Sequence, residues 1–254
     1  MTGWLHVVVD VTRPEPTAAF WAAALGWSLG APWTDRPELR SFAPSDGDAY
    51  VHLQQVGADP GVHLHLEVAD LDAETERLVA LGARVGRRTG VRRTLRSPGG
   101  LALCLVPERR RSRPGPVTGP TGVRRRLVQV CIDLPAARAD VEAAFWRAVL
   151  PWPEKTFDAP EFLGRLVPPS GPLQVLLQRL GTDDGGNHTR AHLDLGSDDL
   201  AADVALMEAL GAARLLDGDG FVALRDPAGG TFCVTGNAPD APQVRTRGWR
   251  HPAG

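Results

Sequence analysis

Lysine is almost missing from this chain of 254 residues: Lys155 is the only one, and every other basic side chain is arginine. That bias points to a high-GC bacterial genome rather than to a function. Net charge is also scarce, at −2, which removes the electrostatic case for a nucleic-acid or anionic-membrane partner. No apolar run approaches the roughly 20 residues that a membrane-spanning helix needs. The opening Met-Thr-Gly-Trp shows no basic flank and apolar signal core, so a cytoplasmic location is expected. The three cysteines, Cys104, Cys131 and Cys233, are odd in number and lack paired metal spacing. They lie in apolar strand-like runs and read as reduced, buried thiols. Also absent are a phosphate-binding glycine motif, a nucleophile elbow, and Cys-x-x-C or His-Glu-x-x-His spacing. Those absences leave no residue with an assigned catalytic role.

What the chain does have is a repeat. A shift of 129 residues carries Val62–Val106 onto Ala191–Thr235 without a gap, and fifteen of the 45 paired positions are identical. His63-Leu64-His65-Leu66 meets His192-Leu193-Asp194-Leu195, and Ala80-Leu81-Gly82-Ala83 meets Ala209-Leu210-Gly211-Ala212. Leu95-Arg96-x-Pro98-x-Gly100 meets Leu224-Arg225-x-Pro227-x-Gly229, and Cys104 meets Cys233. Earlier in each half, Phe20-Trp21 with Leu25 and Trp27 recurs as Phe145-Trp146 with Leu150 and Trp152. A duplicated unit builds its site about a pseudo-symmetry axis, so the repeat says where to look.

Each half reads as strand, helix and short strands, then the same again. Leu5–Val11 is β-branched; Pro14 and Pro16 open a helix whose apolar face is Phe20, Trp21, Ala24 and Leu25, and Gly26 closes it. Short strands are expected near Leu39–Ala43 and Tyr50–Val56. Val62–Val68 is the next strand, Asp70 or Asp72 can cap the second helix, and strands follow near Arg92–Arg96 and Leu101–Val106. The second half repeats the order, with its cap at Asp198 or Asp199. The expected organisation is a first domain over 1–108, an Arg/Pro/Gly-rich linker over 109–123 and a second domain over 124–237. A loose tail follows over 238–254. The linker arginines read as a solvated hinge, where protease should cut first and release two compact fragments.

Strand alternation sorts side chains onto faces. Val7, Val9 and Val11, with Leu64, Leu66 and Val68, point to the helices. The opposite face collects His6, Val8 and Asp10; His52 and Gln54; His63, His65 and Glu67; and Cys104. In the second half it collects Gln129, Cys131 and Asp133; Leu176 and Gln178; His192 and Asp194; and Cys233. Four histidines on one wall against one on the other suggest a pocket in the first half, with either a diverged copy or a site for a different ligand in the second. Trp21, Trp27, Trp146 and Trp152 read as core, whereas Trp4, Trp33 and Trp249 are free to line or cover a pocket. His188 and His251 fall in loop-like text.

The His-Leu-x-Leu strands, the Ala-Leu-Gly-Ala helix ends, the Leu-Arg-x-Pro-x-Gly turns and the Phe-Trp-x-Ala helices together resemble the vicinal oxygen chelate superfamily. That superfamily includes glyoxalases, bleomycin-resistance proteins and extradiol dioxygenases; the closest likeness is to the glyoxalase-like domains common in actinobacteria. The resemblance implies an α+β fold of two tandem glyoxalase-like domains. Each is a pair of βαβββ modules forming a cupped mixed sheet with helices on its outer face. It also implies metal-ligand positions at His6, Gln54, His63 and Cys104, and at Gln129, Gln178, His192 and Cys233. Glutamine and cysteine stand where the family places glutamate, and neither an amide nor a thiol supplies a carboxylate's charge and proton capacity. Glu67 lies more than about 12 Å along the strand from His63, so it does not replace the missing acid on one ion.

The expected function is therefore metal-free binding of a small organic molecule, for sequestration or for tailoring a secondary metabolite, by a monomer or homodimer. Its ligand-binding residues are His6, His52, Gln54, His63, His65, Glu67, Cys104, Gln129, Gln178, His192, Asp194 and Cys233. The alternative is a lyase, isomerase or dioxygenase holding one Zn or Fe ion on His6 and His63, with Cys104 or Gln54. A third reading makes the second domain a structural partner of the first.

Overall fold

The computed structural model describes residues 4–184 and 186–241. Met1–Gly3 and most of the expected tail, Trp249 and His251 included, lie outside the described residues. The first half runs β1 (Leu5–Val11), α1 (Pro14–Leu25), β2 (Ser28–Trp33), β3 (Arg36–Ala43), β4 (Val51–Gln55), β5 (Gly61–Val68), α2 (Leu71–Ala80), β6 (Arg84–Thr89), β7 (Arg92–Arg96) and β8 (Ala102–Pro107). After a short β9 (Val117–Thr118), the second half repeats the order. It runs β10 (Arg124–Leu134), α3 (Ala139–Val149), β11 (Glu154–Lys155), β12 (Phe162–Leu166), β13 (Gln174–Arg179), β14 (Arg190–Ser197), α4 (Leu200–Ala209), β15 (Ala213–Gly218), β16 (Phe221–Arg225) and β17 (Thr231–Thr235).

Each half is one mixed sheet, in the order β2-β3-β4-β1-β5-β8-β7-β6 and then β11-β12-β13-β10-β14-β17-β16-β15. The two modules of a half meet at its centre, where β1 pairs antiparallel with β5 and β10 with β14. This is the α+β arrangement of two cupped sheets that the resemblance implied. The strands missed from sequence are mostly at the edges. β2 carries Gly30 and Pro32, and β6 is exposed along its whole length with three arginines. Such strands bury no face, so they show no apolar alternation.

Local chemistry sets the helix ends as expected. Pro14 opens α1, and Gly26, in the left-handed region at φ 66°, closes it. Asp70 caps α2 by accepting from the Asp72 and Ala73 amides, and Asp199 caps α4 through the Ala202 amide.

The helix-covered faces of the two sheets turn toward each other and share one continuous core. Phe20 and Trp21 of α1 stack on Phe232 of β17, and Trp21 Nε1 donates to Asp226 at 3.1 Å. Tyr50 donates to the Leu127 carbonyl at 2.6 Å, and Arg77 to the Ala148 carbonyl at 2.8 Å. The segment between the sheets is bound rather than solvated, which corrects the hinge reading of its arginines. Arg111 reaches Glu67, the Ser112 amide donates to Asp48, and Pro114 is buried. A Cβ on Gly47 would come within 2.6 Å of the Pro114 nitrogen, so only glycine lets this strap lie so close. Arg125 donates to the Ala24 and Ala23 carbonyls at the C-terminal end of α1, and Arg126 to the Pro239 and Pro172 carbonyls.

Arg109 and Arg110 remain exposed, so trypsin should still cut there. With a shared core, the nicked halves should stay together as one particle on size exclusion and unfold in a single transition. Release of two separately compact halves would contradict the shared core.

Candidate functional site

Pairing within the sheet decides which cup-face side chains meet. β1 sets His6 opposite His65 and Val8 opposite His63; β4 sets His52 beside Val8 and Gln54 beside Asp10; β8 sets Cys104 beside His65. No helix covers this face, yet His6, His52, His63, His65, Glu67 and Cys104 are all buried. The sheet curls over them. In the second half β10 sets Gln129 opposite Asp194 and Cys131 opposite His192, β13 sets Gln178 beside Asp133, and β17 sets Cys233 beside Asp194.

The first cup holds two connected polar groups. One is a relay of a single polarity. Trp33 Nε1 donates to Ser41 Oγ at 3.0 Å, and Ser41 Oγ lies 2.9 Å from His52 Nδ1. His52 Nε2 lies 3.0 Å from His6 Nδ1, and His6 Nε2 lies 3.1 Å from Glu67. The indole can only donate and the glutamate only accept, so each imidazole carries one proton, on Nε2. Burial lowers the basicity of both His6 and His52, in keeping with neutral rings. Burial pushes Glu67 up, but His6, the Arg109 amide and Arg111 outweigh it and hold the carboxyl below its usual range. Trp4 is buried edge-on against His6 rather than free over a pocket, whereas Trp33 is 36% exposed and edge-on to His52.

The other group is centred on His63. Its Nδ1 meets Asp10 at 2.6 Å and its Nε2 meets His65 Nε2 at 3.1 Å. Burial disfavours the His63 cation, yet Asp10 and Cys104 overcome that and raise it to about 9. His65 is held well below its ordinary value by burial and by the His63 charge. The two imidazoles thus hold one proton between them, with His63 as cation and His65 as acceptor.

The second cup keeps part of this. His192 Nδ1 meets Asp133 at 2.9 Å, as His63 meets Asp10, and its Nε2 lies 3.4 Å from Asp194. Burial disfavours the His192 charge, but the Asp133 and Asp194 carboxylates raise it well above an ordinary histidine. Gln129 donates to Asp194 and accepts from Gln174, and Cys131 donates to Gln178 at 3.2 Å. Burial pushes the Cys131 thiol up, so it stays protonated.

The expected ligand positions are only partly brought together. His63 and Cys104 converge, but with His65, all three offering donor atoms within 4.8 Å of one another. His6 is instead taken by His52 and Glu67, and Gln54 lies 3.4 Å from Arg36. Two imidazoles and a thiol suit Zn²⁺ or Fe²⁺, and the Asp10 carboxylate behind His63 Nδ1 would orient that ring as a ligand. These residues therefore fit a divalent ion. In the second half Cys131, Asp133 and His192 form one such group, and His192, Asp194 and Cys233 another. Two cavities, of about 320 and 180 Å³, lie at the seam between the halves rather than inside a cup. Their walls include α2 with the end of α3, and β1 with the turn after β16.

Sequence reasoning missed the partner of each central histidine, although Asp10 and Asp133 stand at matching places in His-Val-Val-Val-Asp and Gln-Val-Cys-Ile-Asp. It also missed Ser41 and Arg111, which close the relay, and Arg165 on β12.

The His63–Asp10 pair predicts a pH dependence. Folded His63 keeps its proton to about pH 9, whereas an unfolded histidine loses it near 6.5. The pair's stabilisation is therefore complete below about 6.5 and is lost as pH rises through about 9. Unfolding free energy from urea titrations should fall over that window. Asp10→Asn should lower stability at pH 6 by about 1–3 kcal/mol and flatten the slope. An unchanged slope in Asp10→Asn would refute the pairing.

Comparison with known proteins agrees with this architecture. A mutant of 4-hydroxymandelate synthase from Streptomyces coelicolor superposes with a TM-score of 0.61 at 17% identity, over 94% of this chain and 94% of that one. The Mn(II)-bound glyoxalase from Novosphingobium aromaticivorans gives 0.64 at 15% identity, over 92% and 82%. The 2,3-dioxygenase LapB from Pseudomonas sp. KL28 gives 0.59 at 13% identity, over 91% and 90%. At such identities the likeness is one of fold. No curated protein matches the sequence. The glyoxalase-like domain family matches residues 6–106 and again 129–235, so the chain belongs to that family, within the vicinal oxygen chelate superfamily, and carries its domain twice.

Proposed function

We propose that the chain binds a small organic molecule in its first cup, without a resident metal, and that the His63–His65 pair is the part that meets the ligand. The observation that carries this reading is the contact between the two imidazoles, Nε2 to Nε2 at 3.1 Å, with Asp10 on the far nitrogen of His63. His63, fixed by Asp10, points a protonated Nε2 at a neutral His65. A ligand oxygen or nitrogen that displaces His65 from His63 Nε2 gains a charged donor and an adjacent acceptor. That arrangement suits an enol, phenol or amide, and could move a proton on it. Glu67, Arg111 and His6 satisfy one another at the strap side of the cup, so they build the wall. Trp33, at the exposed end of the relay, is the side chain placed to cover the entrance. Sequestration needs only this binding; tailoring would add proton transfer through His63.

The convergence of His63, His65 and Cys104 favours one further reading, a metal-dependent lyase, isomerase or dioxygenase. A divalent ion there would act as a Lewis acid on the ligand's oxygen. The donor set has no carboxylate, and its two imidazoles already satisfy each other around one proton, which is why the metal-free reading leads.

Elemental analysis of the untagged protein separates the two. We expect no stoichiometric divalent ion; about one tightly held Zn, Fe, Mn or Ni per chain, lost in His63→Ala, would establish the metal reading instead. For the ligand, a thermal-shift screen of small phenols, enols and heterocyclic amides should give stabilising compounds. Their effect should vanish in His63→Phe and survive in His192→Phe. Compounds indifferent to His63→Phe would place the main ligand elsewhere.

A further inference from the structure

Arg165 is a large polar group of the second cup that its neighbours among the described residues do not satisfy. It lies on β12 opposite Leu176, itself beside Cys131 on the cup face. A bulge at Phe162/Gly164 immediately precedes it, and a bulge is a common way for a strand to re-aim a side chain. The guanidinium carbon lies 4.9 Å from the centre of the Phe157 ring, and Phe162 packs against Phe157 at 5.5 Å. Nε is fully buried with no hydrogen-bond partner, and no carboxylate among the described residues reaches ion-pairing distance. The closest acids are committed: Asp133 holds His192, while Asp194 accepts from Gln129 through one oxygen. The other Asp194 oxygen, Oδ1, makes no hydrogen bond and only faces His192 Nε2 at 3.4 Å. Burial pushes the Arg165 charge down, and the Asp194 carboxylate across the cup offsets this only in part.

The chain's structural arginines behave differently. Arg125 and Arg126, buried where Arg165 is half-buried, are saturated by main-chain carbonyls, and Arg125 pairs with Asp203 as well. A half-buried cation whose Nε is sealed without a hydrogen bond leaves that donor's desolvation uncompensated, and held that way at a cup wall it is suited to a ligand that supplies the partner. In the first cup the corresponding position, opposite His52, is Ser41. A hydroxyl in one copy and a guanidinium in the other imply different ligands.

We propose that the second cup is a separate binding site for a small aromatic acid, with Arg165 as its anion anchor. The carboxylate would take the guanidinium's paired N–H groups in a fork, the ring would lie against Phe157 and Phe162, and a hydroxyl next to the carboxylate would donate to Asp194 Oδ1. This site does not depend on the first-cup reading, since none of its residues belongs to that cup.

Salicylate, benzoate and phenol are the probes, titrated calorimetrically into the full-length protein. Salicylate should bind saturably with millimolar or better affinity and benzoate more weakly, while phenol should show no binding that depends on Arg165. Arg165→Met should weaken salicylate by at least about tenfold, Arg165→Lys should retain part of the affinity, and His63→Phe should leave it unchanged. Apo Arg165→Met should melt no lower than the parent, because the anchor has no partner to lose. Three results would overturn the proposal: no saturable binding of either acid, salicylate affinity undiminished in Arg165→Met, or an Arg165→Met chain that melts several degrees lower or does not fold. The last would show a structural arginine.

Discussion

Everything in this molecule that resembles a site follows from one constraint: β1 pairs antiparallel with β5, and β10 with β14, so alternate side chains of four central strands face into a closed cup. Polar groups there cannot reach bulk water and must find partners across the sheet. The pairing fixes those partners. Asp10 lies diagonally across from His63, and Asp133 from His192, so both copies form the same carboxylate–imidazole bond. A one-residue slip would send these side chains into the apolar layer under the helices and the valines into the cup. The apolar pattern of Val7, Val9, Leu64 and Leu66 therefore holds the chemistry in place from the opposite face.

The halves are also bound to each other more closely than a tandem repeat requires. Their helix layers make a common core, and the segment that joins them strengthens the first cup. Arg111, in that segment, neutralises the carboxylate on which the Trp33–Ser41–His52–His6 relay ends. The first cup thus owes part of its electrostatic closure to a residue outside its own repeat. Arg125 and Arg126 hold α1 and the C-terminal residues in the same way, from the first residues of β10. Of the arginines that read as linker chemistry, Arg125 and Arg126 are structural because long planar cations can span from a strand to several free carbonyls at once.

The architecture was legible in the sequence wherever one face is apolar. Two-residue alternation gave the central strands and the contents of the cup face, and the helix limits followed from Pro14, Gly26, Asp70 and Asp199. Edge strands such as β6 were illegible because neither face is buried. The site was half legible for a different reason. Alternation tells which residues share a face, but not which of them touch, since contact depends on inter-strand register. That is why His6 and His63 suggested one site, although His6 joins Glu67 and His52 while His63 joins Asp10 and His65. Arg165 was invisible for two reasons. A bulge interrupts the alternation of its strand, and its counterpart in the repeat is Ser41.

The repeat also shows what was free to diverge. The imidazole–carboxylate pair persists in both cups, where it keeps one histidine charged and oriented. The surroundings of that pair do not persist. In the first cup, His65 accepts from the charged ring, and a separate chain of four neutral donors, Trp33, Ser41, His52 and His6, ends on a compensated glutamate. In the second, Asp194 replaces His65, a buried thiol replaces Val8, and an arginine replaces the serine at the rim. A histidine facing a neutral acceptor can give up its proton to a ligand. One clasped between two carboxylates gives it up far less readily and serves to fix charge. The same strand pairing thus supports a proton-holding cup and a charge-fixing cup, and the difference lies in the few residues that surround one conserved bond between the copies.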